Sequence, residues 1–125
     1  MAGQILIVDD QQYVLDIVCL MLEQLGYEVE STLTAADALR LLRENPSRFD
    51  LLMVDLMMPE ISGPALVEVA VEVSPQTRIL FMAGTGEGVP DGYQLLLKPF
   101  TLQTIRELVE HVLKRTGDTQ APHLL

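Results

Sequence analysis

Short apolar runs alternate with longer stretches of helical periodicity along this chain, and that alternation constrains its fold more than any other feature. Residues 5–8 are all aliphatic and are followed at once by two aspartates, a pattern typical of a strand buried on both faces. Residues 12–25 carry apolar side chains at helical spacing, and Gly26 stands where a glycine commonly ends a helix. Strands that alternate with helices predict an α/β fold with a parallel sheet and right-handed crossovers.

The same alternation continues towards the C-terminus. Further strands are predicted at residues 27–31, 51–54, 79–82 and 94–97. Helix-start residues precede three more helical stretches: Thr34 as a cap, Pro64 in a first turn and Thr101 as a cap. Residues 116–125 lose this periodicity, and we expect them to form a flexible tail.

Charge and composition exclude several classes of function. A formal net charge of −10 argues against direct nucleic-acid binding, because a phosphate backbone requires a basic face. Cys19 is the one cysteine, so no disulfide framework is expected, and a core thiol in a reducing cytoplasm fits best. The first residues lack the basic and apolar segments of a signal peptide, and no apolar run approaches the length of a membrane span. We therefore expect a cytoplasmic location without membrane association.

Charged residues follow three of the predicted strands. Asp9 and Asp10 end the first, Asp55 ends the third, and Lys98 follows the fifth. Ligands of open parallel sheets bind outside the carboxyl ends of the strands, so we expect these side chains to meet. Clustered carboxylates repel unless a cation joins them, and Mg²⁺ commonly takes one or two carboxylates together with waters and phosphate oxygens. Acids, a hard cation and an ammonium group predict a phosphoryl-transfer site.

Each of these residues also has a purely structural interpretation. Aspartates after a strand are most often turn or helix-cap residues, which applies to Asp9, Asp10 and Asp55. Lys98 before a proline is compatible with a solvated loop. The functional interpretation depends on the convergence of all four residues at one edge of the sheet.

Three segments resemble the response-regulator receiver domain of two-component signal transduction systems across residues 4–115. They are residues 5–10 (ILIVDD), residues 54–59 (VDLMMP) with Gly63, and residues 98–100 (KPF). The resemblance implies a flavodoxin-like, doubly wound sheet of five parallel strands in the order 2-1-3-4-5.

The resemblance also implies roles for individual residues. Asp55 corresponds to the carboxylate that accepts a phosphoryl group from a histidine kinase or a histidine phosphotransfer protein. Asp9, Asp10, Asp55 and the backbone carbonyl of Met57 correspond to the ligands of Mg²⁺ or Mn²⁺. Lys98 corresponds to the lysine that pairs with the acceptor, and the Lys98-Pro99 bond is expected to be cis. Such a domain is a phosphoacceptor rather than an enzyme acting on other substrates.

The sequence departs from this family at the positions of its conformational switch. Ala83 stands where a hydroxyl residue is expected, Leu95 stands where an aromatic residue is expected, and Thr85 is a possible substitute for the hydroxyl. Met57 is apolar where polar residues often guide the hydrolytic water, so we expect slow loss of the phosphoryl group.

The connection between the fourth and fifth strands is also unusual. It contains ten residues, 84–93, four of them glycine. A helical crossover needs about a dozen residues, and glycine costs about 1 kcal/mol inside a helix. We therefore predict that the fourth helix is missing or rudimentary and that the usual receiver dimer face is truncated.

Two other functions are compatible with this pattern. A pseudo-receiver, which signals by protein contact without phosphorylation, is favoured by Ala83 and Leu95 and opposed by the complete acidic set with Lys98. A metal-dependent phosphatase with an aspartyl nucleophile ranks last, because the second acid that it needs is replaced by Met57. His111 and His123 have no evident partner, and we assign them no role.

Overall fold

The computed structural model describes residues 3–114 of the chain. In that range the elements are β1 (Gln4–Val8), α1 (Gln12–Gln24), β2 (Glu28–Thr32), α2 (Ala35–Glu44), β3 (Leu51–Asp55), α3 (Gly63–Val73), β4 (Arg78–Ala83), β5 (Gln94–Leu97) and α4 (Leu102–Lys114). Two predictions lie outside the described residues. They are the flexible tail over residues 116–125, which contains His123, and the end of the domain at residue 115.

The five strands form one parallel sheet in the order β2-β1-β3-β4-β5. This order confirms the predicted flavodoxin-like fold. The chain winds outward from the centre in two directions, so the carboxyl ends of β1 and β3 lie side by side. That pair of strand ends is the position at which an open α/β sheet binds its ligands.

Alternate residues of the sheet face two separate cores. The first core packs α2 and α3 against side chains of one face of the sheet, including Leu6, Val54 and Phe81. The second packs α1 and α4 against the opposite face, including Ile7, Met53 and Leu96. Because β1 and β3 are covered on both faces, their side chains are almost entirely buried.

The predicted helix caps are present. The hydroxyl oxygens of Thr34 and Thr101 accept hydrogen bonds from the backbone N–H groups of Asp37 and Thr104, each at 3.1 Å. Ser62 caps α3 in the same way, by accepting from Ala65 at 3.2 Å. These bonds satisfy backbone donors that a helix leaves free at its first turn.

Residues 84–93, all of which the structure describes, contain no helix. The helix expected to be missing is therefore missing, and the last helix of the described part is the fourth. Val89 and Tyr93 from this connection pack against the first core instead. The ring of Tyr93 meets the ring of Phe81 edge to face, with centroids 5.4 Å apart.

Two apolar residues of the helices are exposed. Ile17 of α1 is 48% exposed and Leu102 of α4 is 39% exposed, so the apolar spacing of a helix does not by itself separate its buried residues from its exposed ones. The buried face of α1 is centred on Val14, Val18 and Leu22, and at 100° per residue Ile17 lies well away from it.

Cys19 is only partly buried, rather than a fully enclosed core thiol. Burial still raises the pKa of the Cys19 thiol. Within residues 3–114, none of the helices combines the length and the hydropathy needed to cross a bilayer.

Candidate functional site

Three strand ends bring the charged residues together. Val8 pairs with Val54 in the register of β1 and β3, so the residues that follow, Asp9 and Asp55, emerge side by side. The third contribution comes from the far side of β4: Ala83 pairs with Leu97, and the backbone N–H of Lys98 donates to the carbonyl of Ala83 at 2.8 Å. The sheet register therefore fixes the spacing of the acids and the lysine.

The three aspartates form one cluster. Asp9, Asp10 and Asp55 each offer a carboxylate oxygen, and these oxygens lie within 4.8 Å of one another. Asp9 is completely buried and Asp55 is nearly so, whereas Asp10 is exposed. The convergence predicted from the sequence is thus present, and it is open to solvent on the side of Asp10.

Lys98 supplies the positive charge at this cluster. Its Nζ lies 3.0 Å from Oδ2 of Asp9 and 3.7 Å from Oδ1 of Asp55. The first distance is a charge-assisted hydrogen bond, and the second is an ion pair without hydrogen-bond geometry. The Lys98-Pro99 peptide bond that follows is cis.

The cluster holds more negative charge than Lys98 balances. Burial, followed by the charge of Asp9, raises the pKa of Asp55, while Lys98 and the backbone N–H of Met57 act in the opposite direction. Desolvation and a neighbouring like charge both disfavour an ionised carboxyl group. A divalent cation would relieve both effects, and three carboxylates with one side open to water form a donor set that fits Mg²⁺.

Backbone contacts hold both strand-end acids in place. Oδ1 of Asp9 accepts from the N–H of Gln11 at 3.0 Å, and Oδ1 of Asp55 accepts from the N–H of Met57 at 3.5 Å. Contacts of this kind are those expected of aspartates that simply stabilise a turn. Asp9 and Asp55 therefore make turn contacts and also belong to the acidic cluster. The side chain of Met57 itself is 77% exposed.

Gly63 ties the start of α3 to the backbone of Asp55. Its N–H donates to the carbonyl of Leu56 at 2.9 Å. A Cβ at this position would lie 2.5 Å from the carbonyl oxygen of Asp55 and 2.9 Å from Cα of Leu56. Only a glycine allows this approach.

Ala83 and Leu95, which the resemblance places at the switch positions, lie on neighbouring strands. Ala83 is buried at the end of β4, and Leu95 is partly buried against the first core. Thr85 is exposed, and its hydroxyl accepts from the N–H of Glu87 at 3.4 Å. Its proposed role as a substitute hydroxyl remains a prediction.

An apolar groove next to Lys98 was missed by the sequence analysis. It has a volume of about 380 Å³ and lies between α1 and the segment that follows β5. Its lining includes Tyr13, Ile17 and Phe100, and Leu20 extends the exposed apolar row of α1 with 65% of its surface free. The signal in the sequence was the spacing of residues 13, 17 and 20, which share one helix face.

Comparison with known proteins decides the family. The family model described as the response regulator receiver domain matches residues 5–110. The chain belongs to the response regulator receiver family. The resemblance noted on the strand-end motifs is therefore confirmed over most of the chain, and this protein is a signalling domain of the two-component type.

Among proteins similar to this receiver domain is the two-component response regulator ORR24 of Oryza sativa, 35% identical over 119 residues. The match covers 90% of this chain and 19% of that protein, so the chain spans about a fifth of the length of the curated relatives that it matches.

Solved structures agree with the fold of this receiver domain. The receiver domain of the hybrid histidine kinase CckA is 32% identical in sequence, with a TM-score of 0.80. The match covers 90% of this chain and 100% of that one. The chemotaxis protein CheY4 of Vibrio cholerae is 27% identical with a TM-score of 0.78, and the match covers 90% and 99% of the two chains.

Proposed function

We propose that this receiver domain accepts a phosphoryl group on Asp55 from a phosphohistidine donor in a Mg²⁺-dependent reaction. The observation that carries the proposal is the position of Asp55, whose carboxylate lies within one cluster with Asp9 and Asp10 and 3.7 Å from the ammonium group of Lys98. A carboxylate with an ammonium group beside it, in a cluster that is open to solvent on the side of Asp10, is arranged to attack phosphorus.

The side chains of the cluster would divide the work. Asp55 is the nucleophile: one of its oxygens forms a bond to phosphorus while the bond from phosphorus to the donor imidazole nitrogen breaks. Lys98 stabilises the charge on the phosphoryl oxygens, and Asp9 holds Lys98 in place through the 3.0 Å contact. Positioning and charge neutralisation provide most of the catalysis in such transfers.

Asp9, Asp10, Asp55 and the backbone carbonyl of Met57 would hold the cation, which neutralises the developing charge on the phosphoryl oxygens when bound. Mn²⁺ has the same preference for oxygen ligands. Asp10 is the exposed member of the three acids, so it is the side chain that the cation reaches first from solvent.

The exposed apolar face of α1 supports a protein donor. Tyr13, Ile17 and Leu20 are 62%, 48% and 65% exposed, and the groove that Tyr13 and Ile17 line reaches Lys98. An apolar patch of this kind beside a reactive site is typical of a protein contact. We infer that a histidine kinase or a histidine phosphotransfer protein packs here and presents its phosphohistidine to Asp55, in the cytoplasm.

Phosphorylation of the intact protein by a small phosphodonor tests the proposal. We expect incubation with phosphoramidate and Mg²⁺ to add one phosphoryl mass, and we expect the increment to be absent from Asp55→Asn and from samples without divalent cation. Asp91→Asn, an exposed loop substitution of the same kind, is the matched control and keeps the increment.

A failure of this experiment favours the other candidate function, a pseudo-receiver that acts by protein contact alone. The observation on its side is Ala83, which places no hydroxyl at the buried end of β4. An unphosphorylated mass with both phosphoramidate and a phosphohistidine protein would support the pseudo-receiver and refute phosphoryl acceptance.

A further inference from the structure

The two halves of α3 differ in how well they are held. Its first turn is capped by Ser62, carries Pro64 near its start, and buries Gly63, Leu66 and Val67. Each of these features favours the start of a helix. The second half, residues 68–73, buries only Ala70 fully.

Several features oppose a helix in that second half. Residues 67–73 have valine at every second position, in the order VEVAVEV, and such alternation is the pattern of a strand. Valine loses side-chain freedom in a helix. Glu68 and Glu72 are four residues apart, where like charges repel, and Glu72 lies in a last turn that has no basic residue, where the helix dipole disfavours an acid.

The other helices of the described residues have compensating contacts. In α2, Arg40 lies 3.0 Å from Glu44 and 3.9 Å from Asp37. In α4, the amide of Gln103 donates to Glu107 at 3.1 Å. Side-chain pairs of this spacing support a helix, and no such pair occurs within residues 63–73.

The chain also leaves one flank of α3 without a helical neighbour. On one side α3 packs beside α2 in the first core. On the other side, residues 84–93 form a connection without a helix. Val69, Val71 and Val73 are only partly buried, although Val71 and Val73 pack against the first core. Local opening of the second half therefore exposes less enclosed apolar surface than opening of a fully buried helix face would.

The firm first turn of α3 rests directly on Asp55. The contact of Gly63 with the carbonyl of Asp55 leaves no room for a Cβ, and the N–H of Met57 bonds to the Asp55 carboxylate. A change at that carboxylate therefore reaches the start of α3 through backbone atoms alone, without Ala83 or Leu95.

We propose that residues 68–73 of α3 form the conformational switch of this domain, opening and reclosing locally, and that a phosphoryl group on Asp55 shifts this equilibrium towards the closed helix. The direction follows from the backbone contacts, because phosphoryl oxygens attract the N–H of Met57 more strongly and so fix the loop that carries Gly63. The opening itself is a property of the unmodified chain, whereas the coupling rests on the proposed phosphorylation of Asp55.

Amide hydrogen exchange of the full chain, followed residue by residue by NMR, tests the opening. In unmodified protein we expect the amides of residues 70–73 to exchange faster than those at the centres of α1 and α2. Glu72→Lys replaces a like-charge pair with an attractive one and complements the dipole, and we expect it to slow exchange in this segment about fivefold. Val69→Gly should accelerate it.

Glu28→Lys on β2 is the matched control, since it makes the same charge change at an exposed site away from α3. We expect it to leave the exchange of residues 70–73 unchanged. Exchange in this segment as slow as in α1 and α2, with no response to Glu72→Lys, would overturn the proposal.

Phosphorylation with phosphoramidate and Mg²⁺ then tests the coupling. We expect slower exchange in residues 70–73 in the protein that carries the phosphoryl mass. If the mass appears and the exchange does not slow, the coupling is wrong while the proposed function stands. If no mass appears, the proposed function fails, and the exchange of the Glu72 and Val69 variants still decides whether the segment opens.

Discussion

The ammonium group of Lys98 lies closer to Asp9 than to Asp55, at 3.0 Å against 3.7 Å. Asp9 is completely buried, and Lys98 is its one ion-pair partner among residues 3–114. The lysine therefore does two things: it compensates a buried carboxylate and it places a positive charge beside Asp55, the proposed acceptor. Through the first role, Lys98 should also contribute to the free energy of unfolding.

Replacing Lys98 with methionine should destabilise the fold. The substitution keeps the aliphatic length but leaves Asp9 buried without a cation, and removing one partner of a buried pair costs roughly 3–5 kcal/mol. Urea denaturation in metal-free buffer measures the loss. We expect Lys98→Arg to retain most of the stability and added Mg²⁺ to restore part of it to Lys98→Met. Equal urea midpoints for the wild type and Lys98→Met would contradict this role.

The raised pKa of Asp55 gives its own prediction for stability against pH. Because the folded protein holds the Asp55 proton to higher pH than the unfolded chain does, stability falls as the pH rises from about 3.8 through the raised pKa. Asp55→Asn removes that loss. We expect the variant to have a higher free energy of unfolding than the wild type at neutral pH without metal.

The dependence of the stability gain on pH and on Mg²⁺ identifies its cause. Thermal melting at several pH values should show the advantage of Asp55→Asn shrinking in acid, where the carboxyl group is protonated in both states, and shrinking again with Mg²⁺. Asp91→Asn, which alters net charge at an exposed site, should show neither effect. An advantage that is constant across pH would rule out relief of charge as its origin.

Gly63 and Gly84 offer a matched pair of substitutions to alanine. At Gly63 a Cβ would collide with backbone atoms of Asp55 and Leu56, whereas at Gly84 it would meet nothing within 4 Å. Overpacking costs about 1–3 kcal/mol, which exceeds the gain of up to about 1 kcal/mol from replacing a helical glycine. Thermal melting should therefore show Gly63→Ala destabilised and Gly84→Ala close to wild type.

Phosphoramidate labelling extends the same comparison to function. Gly63→Ala should be labelled more slowly, since the backbone of the acceptor must move to admit the Cβ. A Gly63→Ala protein with unchanged melting and labelling would show that the approach of α3 to Asp55 is not required.

Met57 is the residue that we expect to set the lifetime of the phosphoryl group. Its side chain is 77% exposed, so Met57→Gln should leave stability unchanged while placing a hydrogen-bonding group beside the acceptor. One hydrogen bond of about 1 kcal/mol to an attacking water shortens the lifetime about fivefold. Decay of the phosphoryl mass after removal of the donor measures it, with Met57→Leu as the apolar control. A lifetime unaffected by glutamine would argue against control by this side chain.

The sequence allowed the fold to be predicted because the apolar runs of β1 and β3 are continuous and each ends in aspartate. Parallel strands present their carboxyl ends at one edge, so the meeting of Asp9, Asp55 and Lys98 followed from topology. The absent helix was equally predictable, because glycines and a short connection cannot build one.

Other features depend on distances that a pattern does not contain. Periodicity shows that Ile17 is apolar on a helix, but it does not show that Val14 and Val18 already fill the space between α1 and the sheet. The contact of Gly63 with Asp55 and the preference of Lys98 for Asp9 likewise come from the separation of backbone segments. Sequence alone identifies the participants of the site, and packing determines which of them touch.

The exposed face of α1 provides a test that separates partner binding from chemistry. Ile17 is 48% exposed, borders the groove beside Lys98 and makes little contact with the core, so Ile17→Asp should fold normally. A carboxylate in the middle of an apolar contact must be desolvated when a protein docks there. We expect transfer from a phosphohistidine protein to slow roughly tenfold or more, which corresponds to about 1.4 kcal/mol of lost binding. Labelling by phosphoramidate, which needs no docking surface, should proceed at the wild-type rate and serves as the internal control. Equal slowing with both donors would place the defect in the acidic cluster, and unchanged transfer from the protein donor would show that it docks on another face.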